Sequence, residues 1–200
     1  MSLLTVVQAL AKDAGFEPPA AVVGSTDRAL VEALSFANKV GVEIARRADW
    51  GRMASDVTVT GTGTAAPIVI SSAMMKAAEG ACAFTSVGAV IRRLSRSEWP
   101  ATNSEGTPRY FLLEGNEIQF WPYLANAATA TVRIQSDAWT SGGASAFSAD
   151  TQTTLFPEEL LSLGLIAEWR RQKAMPYQDQ EAAFEAAMAQ HAGFDNAGRF

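Results

Sequence analysis

Leu155-Phe156-Pro157-Glu158-Glu159-Leu160 opens the stretch, residues 155–200, from which the rest of the chain is read. A proline at the first helical position loses no hydrogen bond, and two carboxylates beside it face the positive end of the helix dipole. The hexapeptide therefore predicts a helix start with Pro157 as its first residue. Leu160, Leu163 and Ala167 recur at helical spacing, and Leu161, Ile166 and Trp169 widen the apolar face. Arg170, Arg171 and Lys173 complement the carboxyl end before Pro176 stops the helix. Gln178 to Gln190 predicts a second helix, with Asp179 and Glu181 in its first turn and Phe184, Ala187 and Met188 along one side. Beyond it, Phe194-Asp195-Asn196-Ala197-Gly198-Arg199-Phe200 has no helical period and reads as an aromatic tail.

A matching pair of helices stands at the other end. Ser2 is a cap for a helix in which Leu3, Val7, Leu10 and Ala14 follow at helical steps until Gly15 ends it. After a connection through Pro18-Pro19, a second helix begins near Ser25-Thr26-Asp27. Leu30, Leu34, Ala37, Gly41, Ile44 and Ala48 form its stripe, and Gly51 is available as a left-handed cap. Neither pair has enough apolar surface to stand alone, so first and last helices are expected to pack on each other.

Between them the period falls from helical to two. Val57–Thr60 and Pro67–Ile70 read as strands around Gly61-Thr62-Gly63-Thr64, a hairpin or loop, and Ser71–Ala83 reads as a short helix or an irregular crossing. Val87–Leu94 is another strand. Ser95-Arg96-Ser97-Glu98 has the spacing of a capping box and predicts a helical turn carrying Trp99. Arg109–Glu114 and Glu117–Trp121 flank Gly115-Asn116, a two-residue hairpin loop. Ala130, Val132 and Ile134 alternate with Thr131, Arg133 and Gln135 as a half-buried strand. The fold class expected is α+β, one domain over 1–200. It is helical over 1–53 and 155–193, with a β insertion over 54–140, a loop over 141–154 and a tail over 194–200.

Composition narrows function. With 48% hydrophobic and 18% charged residues the chain suits a globular fold, and a net charge of −5 gives no basic footprint for gripping nucleic acid. One cysteine, Cys82, permits no intrachain disulfide and no multi-cysteine zinc site. No apolar run reaches the length of a spanning helix and Met1-Ser2-Leu3-Leu4 lacks a basic leader, so a soluble, unexported chain without membrane contact is expected.

The run Ser95-Arg96-Ser97-Glu98-Trp99, Thr107-Pro108-Arg109-Tyr110-Phe111, Glu114-Gly115-Asn116 and Ile118-Gln119-Phe120-Trp121-Pro122 resembles, in order and spacing, the head-to-tail adaptor (neck, head-completion) proteins of tailed bacteriophages. Leu155 to Leu160, Trp169-Arg170-Arg171 and Pro176-Tyr177 resemble their C-terminal helices. The resemblance implies a structural protein, not an enzyme: a ring of about twelve copies beneath the portal that extends the DNA channel and receives the next neck or tail protein. It implies a place at the neck of the virion, reached from the host cytoplasm during assembly. It also implies a C-terminal segment that docks on the portal. Here that role falls to Phe194, Asp195, Asn196, Arg199 and Phe200, with the two phenylalanines as apolar anchors and Arg199 as a charge partner. Trp121, Trp169 and Tyr177 are expected in subunit interfaces or the core. Twelve copies would carry about −60, and an acidic channel wall would repel the passing DNA without binding it specifically.

Other chemistry reads weakly. Gly61-Thr62-Gly63-Thr64-Ala65-Ala66 fits the dinucleotide fingerprint, but a strand rather than a helix should follow it, so no cofactor is expected. His191 is the one histidine, which excludes a histidine-pair metal site, and it reads as a dipole or interface residue. Cys82 reads as a small buried residue. Glu158 and Glu159 invite comparison with paired catalytic carboxylates, yet neighbours on a helix diverge by about 100°. A metal-independent hydrolase using carboxylates and a monomeric ligand-binding module stand as alternatives to the adaptor.

Overall fold

The computed structural model describes residues 2–70, 74–77, 83–85, 90–102 and 104–197. The chain divides into two compact units, a helical one of Met1–Met53 with Asp137–Phe200 and a β unit of Ala54–Ser136.

In the helical unit α1 spans Leu3–Ala14 and α2 Arg28–Arg47. Their ends follow local chemistry. The Ser2 hydroxyl accepts from the Thr5 N–H, and Gly15 at φ 77° donates its N–H to the Ala11 carbonyl. Asp27 Oδ1 accepts from the Ala29 N–H at 2.7 Å. Gly51 does not cap α2. The helix ends at Ala48 in an extended conformation, and Gly51 opens a short 3₁₀ turn, Gly51–Met53. The Trp50 indole closes this end by donating to the Ile44 carbonyl at 2.9 Å.

Two further helices, α3 over Glu158–Gln172 and α4 over Gln178–Ala197, form the hairpin expected at the carboxyl end. Pro157 sits one position earlier than expected, as the N-cap. The α4 helix runs on through Phe194, Asp195 and Asn196, which were expected in a non-helical tail; Arg199 and Phe200 lie outside the described residues. The organising element is α3, which packs against α1, α2 and α4. Its buried residues, Leu160, Leu161, Gly164, Leu165, Ala167, Glu168 and Trp169, cover about 200° of its circumference at about 100° per residue, as a helix with neighbours on several sides requires.

The segment between Asp137 and Pro157 has no helix or regular strand but is tied down throughout. Leu3 and Leu4 donate to the Gln152 and Asp150 carbonyls, and the Phe147 N–H donates to Asn38 Oδ1. Both Asp150 carboxylate oxygens accept from the Val22 N–H, and Oδ1 also accepts from Val23 at 2.8 Å. Trp139, fully buried, lies against Phe147 and Phe156.

The β unit holds β1 (Ala54–Thr60), β2 (Ile68–Val69), β3 (Met74–Ala77), β4 (Ala83–Thr85), β5 (Val90–Arg93), β6 (Tyr110–Glu114), β7 (Glu117–Trp121) and β8 (Thr129–Ser136). They form one sheet in the order β1-β8-β4-β5-β6-β7-β2, with β3 also paired to β8. The Gly61–Thr64 segment is a loop and not a hairpin, since β1 pairs antiparallel with β8 and β2 with β7. Within Ser71–Ala83 the structure describes strand at β3; Cys82 lies outside the described residues. The β6–β7 hairpin turns at Gly115, whose φ of 59° suits the first central position of a type II′ turn. Val59, Ile70, Ile91, Phe111, Leu113, Ile118, Phe120, Val132 and Ile134 share one core, so strands from both ends of the sheet curl around it.

Strands β5 and β6 run parallel, which requires a crossover. It is residues 94–109, with a 3₁₀ turn at Arg96–Glu98 that leaves Trp99 as its C-cap. Glu98 Oε2 accepts from both the Ser95 N–H at 2.9 Å and the Ser95 hydroxyl at 2.7 Å.

Candidate assembly surfaces

Trp121 fastens that crossover. Its indole donates to the Thr102 carbonyl at 2.8 Å, and its ring lies 5.6 Å from Tyr110. The Tyr123 N–H donates to Ser104 O, and the Gly106 N–H to Tyr123 O. The signature around Ser95, Glu98 and Trp121-Pro122 therefore builds one object, a strapped parallel crossover, with Trp121 half-buried at its edge.

Trp169 is buried in the helical unit, 5.7 Å from Phe16 and 6.0 Å from Phe36, with Lys173 Nζ 4.8 Å above its ring. Tyr177, half-buried, marks the α3–α4 turn and lines a cleft with Val40, Glu43, Glu168 and Phe184. At the base of this cleft Glu168 is 5% exposed and accepts from Lys39 Nζ at 2.6 Å and Gln172 Nε2 at 2.9 Å, with Arg171 also bonded. Burial works against its charge, but Lys39, Gln172 and Arg171 together hold the carboxyl below its ordinary value. Sequence reading missed Glu168. Its signal was an acid inside an apolar run with Arg171 and Gln172 three and four residues on.

Of the portal-docking set, Phe194, Asp195 and Asn196 lie on the last turns of α4. Trp169 and Tyr177 belong to the same helical unit, and Trp121 to the β unit.

The glycine-rich loop leads into strand β2 and not into a helix, and Gly61 lies tight against the chain before β8: a Cβ there would meet the Ala125 carbonyl at 2.3 Å. His191 Nε2 lies 3.7 Å from Glu159 Oε2, linking α4 to the start of α3. No group of three His, Cys, Asp or Glu side chains arranged for a metal occurs among the described residues, and no helix there is long and apolar enough to cross a membrane.

One further surface was not foreseen. The Gly61 N–H donates to Ala128 O on the β8 side, so by alternation Val59, Val57 and Ser55 also point their backbone groups toward β8. Ala54, Asp56, Thr58 and Thr60 point theirs away, along a sheet edge with Asp56, Thr58 and Thr60 exposed. This edge has seven residues, β-branched over its second half, and neither proline nor lysine to blunt it.

Comparison with curated proteins finds no match. A family model described as SU10 adaptor protein matches residues 1–199. With that match over essentially the whole length, the chain belongs to the SU10 adaptor protein family and is a head-to-tail adaptor of tailed bacteriophages or phage-like particles.

Proposed function

We propose that this adaptor forms a ring of about twelve copies under the portal of the virion, extends the DNA channel and offers the surface on which the next neck or tail protein assembles. The observation that carries the reading is the family match over residues 1–199. The β1 edge supports it: among the described residues no strand pairs with the outer side of β1, and such an edge is a template for another chain. Its role is structural rather than catalytic.

The portal contact is assigned to the last turns of α4 together with the chain terminus, with Phe194, Asp195, Asn196, Arg199 and Phe200 as the docking residues. DNA passes without specific contact. The net charge of −5 supports this: residues 137–200 hold nine acids and four Lys or Arg, whereas 1–53 and 54–136 each hold six of either sign. The acidity belongs to the carboxyl-terminal segment, which can line or flank the channel and repel the phosphates.

Native mass spectrometry of the chain, alone and with portal rings from the same particle, tests the proposal. About twelve added copies per portal are expected, and deletion of residues 194–200 should abolish binding while lowering the helical far-ultraviolet circular dichroism by no more than the deleted last turn of α4. A chain that stays monomeric in the presence of the portal would overturn it.

A further inference from the structure

Repeated copies of a chain with net charge −5 repel one another, so a ring needs cations set against the surplus acid. Many of this chain's cations are already engaged among the described residues. Arg28 and Lys173 bind Glu32, Lys39 and Arg171 bind Glu168, Arg47 binds Glu185, Arg133 binds Asp56 and Arg170 binds Asp13. Among the described residues, Arg93 and Arg109 have no acid within ion-pair distance, and both are exposed. They lie together, because the N–H of Arg92, the residue before Arg93, donates to the Arg109 carbonyl at 2.9 Å across β5 and β6. Arg92 is itself exposed, with Glu98 nearby. Arg96, next along, is occupied by Glu114 at 3.4 Å. The result is an arginine edge on a unit that is neutral overall.

The charge complement of that edge is in the same sequence. The α4 helix carries Asp179, Glu181, Glu185 and Asp195 and no lysine or arginine. Glu185 is taken by Arg47, whereas Asp179 and Glu181 are exposed and have no cation within ion-pair distance among the described residues. We propose that the edge formed by Arg93 and Arg109 of one copy docks on the acidic first turn of α4, at Asp179 and Glu181, of a second copy; Arg92, the neighbour of Arg93 along β5, leaves the opposite face of the sheet. Each copy carries both surfaces, so in the proposed ring the contact is used head to tail, once per neighbouring pair. Long charged side chains at such a rim set partner choice and encounter rate, and like charges brought together there suppress association. The inference rests on the proposed ring and supplies one of its subunit contacts.

The test is reciprocal charge reversal in the full-length chain, read by native mass spectrometry and by sedimentation at low and high salt, with portal rings present. Arg93→Glu with Arg109→Glu, and separately Asp179→Lys with Glu181→Lys, should each weaken ring formation at least tenfold. Combining all four should restore it, which also answers the objection that a variant failed to fold. Wild-type rings should loosen as salt rises. Wild-type rings with fully assembling reversal variants, or no recovery in the combined variant, would overturn the pairing and leave the ring standing. Reversed arginines that still form rings but lose packaged DNA would likewise overturn it, assigning the edge to nucleic acid. A wild-type chain that forms no ring with the portal would overturn both readings together.

Discussion

The indole of Trp139 lies so close over Gly41 of α2 that a Cβ on Gly41 would stand 2.4 Å from Trp139 Cη2. The ring cannot retreat. Its N–H is held by the Ser145 carbonyl at 2.8 Å, and Phe147 packs edge-on with centroids 4.9 Å apart. Gly41→Ala should therefore destabilise the chain, overpacking of about 1–3 kcal/mol outweighing the helix propensity gained by alanine, roughly 1 kcal/mol. A lowered midpoint in urea unfolding followed by tryptophan fluorescence is expected.

Gly164 repeats the arrangement where α3 meets its neighbours, a Cβ there lying 2.6 Å from Val40 Cγ1 and 3.1 Å from Phe184 Cε2. Valine is stiff at χ1 and Val40 is itself buried, so Gly164→Ala should separate α2 or α4 from α3. Faster amide exchange in the middle of α4, measured by mass spectrometry, is the expected sign.

Glu168 should give the helical unit an acid limb. Its folded carboxyl titrates below its ordinary 4.5, so the stabilisation is complete above that pH and is lost as pH falls from there through the folded value. Glu168→Gln should cost about 1.5–3 kcal/mol at neutral pH, the range for hydrogen bonds to a charged group. It should also flatten the decline of thermal stability in the acid interval. An unchanged decline would show that other carboxylates carry it.

Asp150→Ala should release the α1–α2 connection, because the N–H groups of Val22 and Val23 lose their acceptor; about 1–3 kcal/mol is expected for the stranded donors. Exchange of those two amides should accelerate, with the Ser2 cap of α1 intact.

Trp121→Phe keeps a ring beside Tyr110 but removes the donor to Thr102, so a loss of about 1 kcal/mol and faster exchange at Gly106 and Tyr123 are expected. Trp121→Ala should do more, since the packing goes as well.

What the sequence determined by itself was whatever short-range chemistry settles. Ser2 and Gly15 bound α1, Asp27 starts α2, Gly115 turns the β6–β7 hairpin and Glu98 reaches back to Ser95, each through atoms a few residues apart. Apolar period likewise placed the helices at both ends and the β stretch between them. Tertiary structure decided the partners. The loop after β1 reads equally well as a hairpin, and only distant β8, with seven residues in register, takes β1 out of that choice. Gly51 reads as a cap, but the Trp50 indole on Ile44 O ends α2 first. The 141–154 segment reads as loop because its order comes from Asn38, Val22 and Leu3, far away in sequence. Continuation of α4 through Asn196 has no apolar stripe to announce it. The β1 edge is a product of strand order, which no local pattern encodes, because a strand's free side is defined by the neighbour it lacks, and Arg93 and Arg109 come together only because β5 pairs with β6.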